Sequence, residues 1–377
     1  MTNLGNSLDA AHRWIEAYEC YQSALDMFPK NGVASGCAAR VLLRVASIGN
    51  LRHSEHLADV ALKLAHHSKE HADTTAALAG PDAASKFAEL PSRAGKLATS
   101  KLRDEVSDYE AFVARNRLIL SPILEGLGHA QKRWDDAHIK GISEQMSAGA
   151  EVPPIFAMFN VMKADYLLAR ELLYLGFDDR TRDTRFYIDT LDYAVYGVQP
   201  ARLVLAQRSA LDLLDKVAVA LNEYLAVGKT PKAIYFHSFW REKRGGSTWH
   251  QVLADAINEG NVALVALSEI AADLSSDASE GSPPALLHEE KMARHAGTHR
   301  FTVLHDLAIG RSRPSPAVEH RSLDAFQHTA LRTVRLARAA LLHFLEVVAY
   351  SEQAKQKDQG PVGELYVHPH HKIRGED

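Results

Sequence analysis

Cysteine is nearly absent. Cys20 and Cys37 are the only two in 377 residues, too few for a disulfide framework, so an apolar core has to hold the fold and a reducing cytoplasm is the expected home. An excess of positive charge is missing too. The formal net charge is −4, which excludes a protein that is basic over its whole surface and leaves nucleic-acid contact to a local patch. No apolar run reaches the ~18 residues of a membrane span. The opening stretch MTNLGNSLDAAHRW lacks the basic, apolar and small-residue order of a secretory leader, so no membrane partner is expected. Alternating β-branched runs are scarce, and only RFYIDTLDYAVYGVQP (185–200) hints at an extended segment.

What the sequence has in quantity is helical period. Leu214, Val217, Leu221 and Tyr224 fall three or four apart, as do Met158, Met162, Tyr166, Ala169, Leu172 and Leu173, which puts each set on one helix face. A last long helix is expected from LDAFQHTALRTVRLARAALLHFLEVVAYSEQ. The chain therefore reads as all-α. Gly, Pro and Ser punctuate it at 79–95, 146–154, 275–284 and 309–316, where a helix cannot easily continue. These breaks suggest a helical repeat region over 1–80, a linker over 81–107 and a helical connector with a loop over 108–155. A main helical domain follows over 156–350, then a polar tail over 351–377. The tail's His368, His370 and His371 read as part of a disordered end.

The first 29 residues carry Leu4, Gly5, Leu8, Ala17, Tyr21, Ala24 and Pro29. Small residues at Gly5, Ala17 and Ala24 let two antiparallel helices approach closely, and Pro29 stops the second. The pattern resembles a tetratricopeptide repeat, with SGCAARVL as the start of a third helix stacking on the pair. One repeat cannot bury its own face, so either the next helices cap it or the array extends upstream.

The densest polar chemistry lies in RHAGTHRFTVLHD, Arg294 to Asp306. Two Arg-x4-His spacings stand in tandem, Arg294 to His299 and Arg300 to His305. The surrounding PALLHEEKMARHAGTHRFTVLHDLAIG can run as one helix, although Gly297 costs it ~1 kcal/mol against Ala. In a helix, residues five apart are ~7.5 Å apart along the axis, and a long arginine can bend back to share one phosphate with the histidine. Such a pair suits RNA cleavage by the neighbouring 2′-hydroxyl. Histidine moves the proton with an ordinary pKa of ~6.5, and the guanidinium stabilises the charge on the phosphorane. That chemistry needs no metal or cofactor. Zinc is a second possibility, because His295 and His299 share a helix face, with Glu289, Glu290 or His305 as a third ligand. Ala296 stands where a metalloprotease helix would carry glutamate. An exposed helix face with no chemistry is the third.

The segment resembles the signature of HEPN domains, all-α domains built on an antiparallel helix pair, whose motif is arginine, a polar residue, three residues and histidine. Arg294, His295 and His299 match it, with His295 in a place more often held by Asn. Arg300 and His305 match the spacing but have Phe301 in the polar place, which makes them secondary candidates. DYEAFVARNRLILSP, PPIFAMFNVMKADYLLARELLYLG and DTLDYAVYGVQPARLVLAQRSALDLLDKVAVALNEYL extend the resemblance over roughly 108–310, to a bacterial HEPN subfamily with N-terminal tetratricopeptide repeats.

This resemblance implies a two-fold dimer with the motif facing its own copy. It implies RNA cleavage, as in many relatives, or RNA or nucleotide binding without cleavage, as in others. A defence or stress-response toxin with a regulator bound to the repeats is the reading it favours. Lys291, Arg311 and Arg313 beside the motif, and Arg332, Arg335 and Arg338 spaced by three on the last helix, are the expected RNA-binding residues. Arg241, Lys243 and Arg244 make a further basic run. Asn116, Arg117, Arg208, Asn222 and Glu223 also belong to the resemblance, but bracing a helix explains them as well as chemistry does.

Overall fold

The computed structural model describes residues 1–48, 54–90, 107–121, 135–144, 151–178, 185–243, 246–275, 287, 300–307, 315–358 and 363–366. The fold is all-α, with a small sheet component. Six helices come first: α1 (Thr2–Ala10), α2 (Trp14–Met27), α3 (Gly32–Ala46), α4 (Ser54–Glu70), α5 (Ala72–Ala79) and α6 (Pro81–Ala88). α1 packs on α2, α2 on α3, and α3 on α4. The closeness of α1 and α2 depends on Gly5, where an added Cβ would lie 2.5 Å from Cε1 of Tyr21. Tyr21 is fully buried, and its hydroxyl hydrogen-bonds Asn6 Oδ1 at 2.9 Å. α2 ends at Met27, two residues short of Pro29. Asn31 caps α3, its Oδ1 accepting from the Ala34 amide at 3.0 Å. Leu8, Tyr21 and Ala24 are buried between these helices as expected, but Leu4 faces solvent. The stretch expected to open a linker at residue 81 instead forms α6, which drives Phe87 against Gly36 of α3.

α7 (Asp108–Arg115) starts at a capping box between Ser107 and Glu110. Three long helices then make the centre: α8 (Pro154–Phe177), α9 (Val198–Tyr224) and, near the C-terminus, α12 (Leu323–Asp358). α8 opens on Pro153-Pro154, pre-set for a first helical turn. It lies along α9, and both pack on α12. The buried positions repeat at helical spacing: Leu203, Ala206, Ala210, Leu214, Val217 and Leu221 on α9, and Phe326, Ala330, Val334, Ala337, Leu341, Phe344 and Val348 on α12. Gly176 permits the close approach of α8 to α9, since a Cβ there would meet Leu203 at 2.6 Å. The shorter α10 (Gln251–Asn258) and α11 (Ala263–Ser275) complete this half, with α11 packed on α12.

The N-terminal helices dock onto the same centre. Trp14 donates its indole N–H to Glu346 of α12, and Arg13 pairs with Asp273 of α11. One continuous apolar cluster runs from Leu8 to Ala349.

The strands are short. β1 (Gly141–Glu144) pairs antiparallel with β5 (Gly363–Tyr366). A second sheet has the order β2 (Ala194–Val195), β3 (Phe301–His305), β4 (Val318–Ser322), with β2–β3 antiparallel and β3–β4 parallel. The extended hint in 185–200 is realised at β2. The single helix expected through Arg294 to His305 is not, because Phe301–His305 is a strand. Among the described residues, no helix is long and apolar enough to cross a membrane.

Candidate functional site

The described side of the motif segment centres on β3. Its register sets Val303 opposite His320 and His305 opposite Ser322 on β4. Residues two apart on a strand share a face, so His305 and His320 are diagonal neighbours. His305 Nε2 lies 2.8 Å from His320 Nδ1. On the other side of the ring, Nδ1 lies 2.9 Å from the backbone carbonyl oxygen of Asp192. A carbonyl only accepts, so His305 Nδ1 carries a proton; in the neutral ring Nε2 then accepts from His320 Nδ1–H. Asp192 sits on the arm entering β2, between Leu191 and Tyr193, which both hold left-handed backbone at φ 57° and 62°. Its Oδ1 accepts from Thr190 Oγ1 at 2.5 Å and from the Ala194 amide at 3.3 Å. Asp192, His305 and His320 have donor atoms within 4.8 Å of one another and are the one such His/Asp/Glu/Cys group among the described residues.

This geometry removes the secondary pair from the phosphate-clamp reading. Arg300 is exposed and directly precedes the strand, whereas His305 is 1% exposed with both ring nitrogens engaged. Along extended chain, residues five apart are ~16 Å apart and project to opposite faces. A helix would have brought them within reach of one phosphate; the strand does not.

The expected basic stripe on α12 also changes. Arg332 is exposed. Arg335 turns inward and donates from Nε to the Asn116 carbonyl at 2.9 Å. Arg338 is fully buried, donating to the carbonyls of Ile119 at 2.5 Å and Ser121 at 3.1 Å. It therefore braces the turn after α7 and does not reach an RNA-facing surface. Tyr166 and Arg170 hold the same turn through the Leu118 carbonyl, and Asp135 closes it with two hydrogen bonds from Arg170, each 2.7 Å. Burial lowers the pKa of both Arg335 and Arg338, and it pushes the Glu19 carboxyl up while these guanidinium groups pull it back down.

Asn222 is a brace as well, exchanging two hydrogen bonds with the backbone of Lys229. Arg208 is exposed, 3.9 Å from Asp212. Arg241 stacks over the Trp249 ring. Lys291, Arg294, His295, His299, Arg311 and Arg313 lie outside the described residues, as do Glu289, Glu290, Arg244 and the tail histidines.

The sequence matches the LA2681-like HEPN family over residues 146–351. The chain belongs to this family. Comparison with curated proteins and with solved structures returns no match. The HEPN span takes in α8, the β2–β3–β4 sheet and most of α12, and it contains the whole Arg294 to His305 segment. Sequence reasoning did not single out Asp192 or His320 as partners of His305. The nearest signals were the extended hint before β2 and the alternating VEHRS of β4, too short to separate from a loop.

Proposed function

We propose that the protein is a metal-independent HEPN-type endoribonuclease acting at Arg294, His295 and His299. The observation that carries the reading is the family match, which encloses the one stretch where arginine, a polar residue and histidine stand at the HEPN spacing. His299 is the acid or base, Arg294 the clamp on the phosphate and His295 the supporting polar group. RNA is the substrate, attacked by its own 2′-hydroxyl. Lys291, Arg311, Arg313 and the exposed Arg332 supply backbone contacts.

The partner is a second copy. Support comes from an apolar stripe left open on the central helices, with Val161 and Leu168 on α8 each 54% exposed and Leu205 on α9 49% exposed, a pattern that marks association surfaces. The N-terminal helices, in a tetratricopeptide-like arrangement, take a protein or peptide regulator, which fits a toxin of a defence or stress response in the cytoplasm.

The experiment is incubation of the purified chain with total RNA, with and without EDTA, followed by analysis of the product ends. Cleavage that survives EDTA and leaves 2′,3′-cyclic phosphate is expected, with His299→Ala slower by ~10²–10⁴-fold. A folded dimer that cleaves no RNA overturns the reading. It would leave a non-catalytic RNA- or partner-binding scaffold, which the exposed Phe186, Ile188, Leu191, Tyr193 and Phe301 favour.

A further inference from the structure

We infer that Asp192, His305 and His320 form a binding site for a divalent transition-metal ion of the zinc type, one that fastens the β2 arm to the β3–β4 pair. The inference stands on the geometry of these three residues and does not depend on RNA cleavage.

Three features carry it. The first is spacing: one donor atom from each residue falls within 4.8 Å of the other two. Zinc–nitrogen bonds of ~2.0–2.1 Å in a tetrahedron put ligand atoms roughly 3.4 Å apart. The histidine nitrogens, now 2.8 Å apart, need only part by about half an ångström to admit the ion. The second is orientation. A metal-binding histidine usually gives its other N–H to a carbonyl or carboxylate, which fixes the tautomer and aims the lone pair. His305 already does this, with Nδ1–H on the Asp192 carbonyl and Nε2 facing His320 Nδ1. The third is chemistry. Two imidazoles and a carboxylate suit zinc, nickel or copper rather than magnesium or calcium, which prefer all-oxygen shells.

The strands set the two histidines on one face of the sheet, and the left-handed residues Leu191 and Tyr193 turn the arm so that Asp192 presents both its carbonyl and its carboxylate near His305. The ion would replace the hydrogen-bonding proton between the rings, so His320 would carry its proton on Nε2. With three protein ligands, a fourth position remains for water.

The test uses the full chain, freed of metal by chelation and dialysis, titrated with Zn²⁺ by calorimetry and with Co²⁺ by visible absorption at pH 7.5. One equivalent is expected at this site. His320→Gln and Asp192→Asn should each weaken it ~100-fold or more, since even the outer partners of such sites are worth 10–100-fold. Zn²⁺ should raise the melting temperature of the wild type and leave that of His320→Gln unchanged. The tail histidines are a competing site, so a variant with His368, His370 and His371 all changed to Ala must keep the equivalent. A folded wild type that binds neither ion overturns the inference. So does an equivalent that survives in His320→Gln or disappears in the tail variant. If His320→Gln fails to fold, Asp192→Asn decides the matter alone. Because the readout is binding, a failure here leaves the RNA-cleavage reading untouched, and the converse also holds.

Discussion

Replacing Arg338 with methionine separates a structural arginine from an RNA-binding one. The side chain is 0% exposed, and it donates to the carbonyls of Ile119 and Ser121. Methionine keeps most of the volume and removes both donors. The buried Ile119 carbonyl left without this donor costs about 1–3 kcal/mol, and the Ser121 carbonyl loses one hydrogen bond. Removing a desolvated cation offsets part of this, because Arg338 Nη1 has no hydrogen-bond partner and Arg335 and Arg117 repel it. Glu19 also loses one of the charges that hold its carboxyl down. The net expectation is about 2–4 kcal/mol of destabilisation, read as a lower urea midpoint at unchanged slope. The RNA affinity of the protein that remains folded should not change. Arg332→Met, on the exposed face of the same helix, should shift stability by less than about 0.5 kcal/mol and weaken RNA binding, the more so at low salt. An Arg338→Met protein as stable as the wild type, or one that is stable but loses RNA affinity, refutes the reasoning.

Gly5→Ala should destabilise the α1–α2 pair by about 1–2 kcal/mol by thermal melting, because overpacking against the fixed Tyr21 ring outweighs the ~1 kcal/mol that alanine gains in a helix. Asn31→Ala should cost about 1 kcal/mol by urea unfolding through loss of the α3 cap. Burial, reinforced by Arg44, lowers the pKa of His12, so the folded state takes up this proton less readily than the unfolded chain. The resulting stability is present above the ordinary imidazole pKa of ~6.5 and is lost as the pH falls from there through the lower folded value. His12→Asn, which tolerates the φ of 60° at this position, should flatten the acid side of a urea-midpoint-against-pH curve. Val161→Glu with Leu168→Glu should convert the proposed dimer to monomer in sedimentation, at little cost to a fold in which both side chains are about half exposed.

The long helices were legible because their burial follows a local repeat, and Pro29 as a stop and Gly5 as a point of close approach could be read from spacing, although the neighbour at Gly5 is the large Tyr21 ring and not another small residue. β3 was not. Its five residues are too few to tell strand from helix by period, and its parallel partner β4 is specified by residues further along the chain, so Thr302 and Val303 gave no local sign of pairing. With β3 went the geometry of Arg300 and His305, whose spacing has opposite meanings in a helix and in a strand. The stripe on α12 failed for a simple reason. Three residues advance a helix by about 300°, so Arg332, Arg335 and Arg338 drift by roughly 60° a step. Two steps carry the last one from solvent into the core, where the carbonyls of Ile119 and Ser121 claim it.

The central claim is that cleavage runs through the first Arg-x4-His and not the second. Single-turnover cleavage of one labelled RNA by Arg294→Ala and Arg300→Ala, both checked for folding, tests it most directly. Loss of a positioned charge on the transition state slows a reaction by ~10²–10³-fold, and that loss is expected for Arg294→Ala, with Arg300→Ala within a few-fold of the wild type. A wild-type rate from Arg294→Ala, or an equal collapse of both variants, would contradict the account.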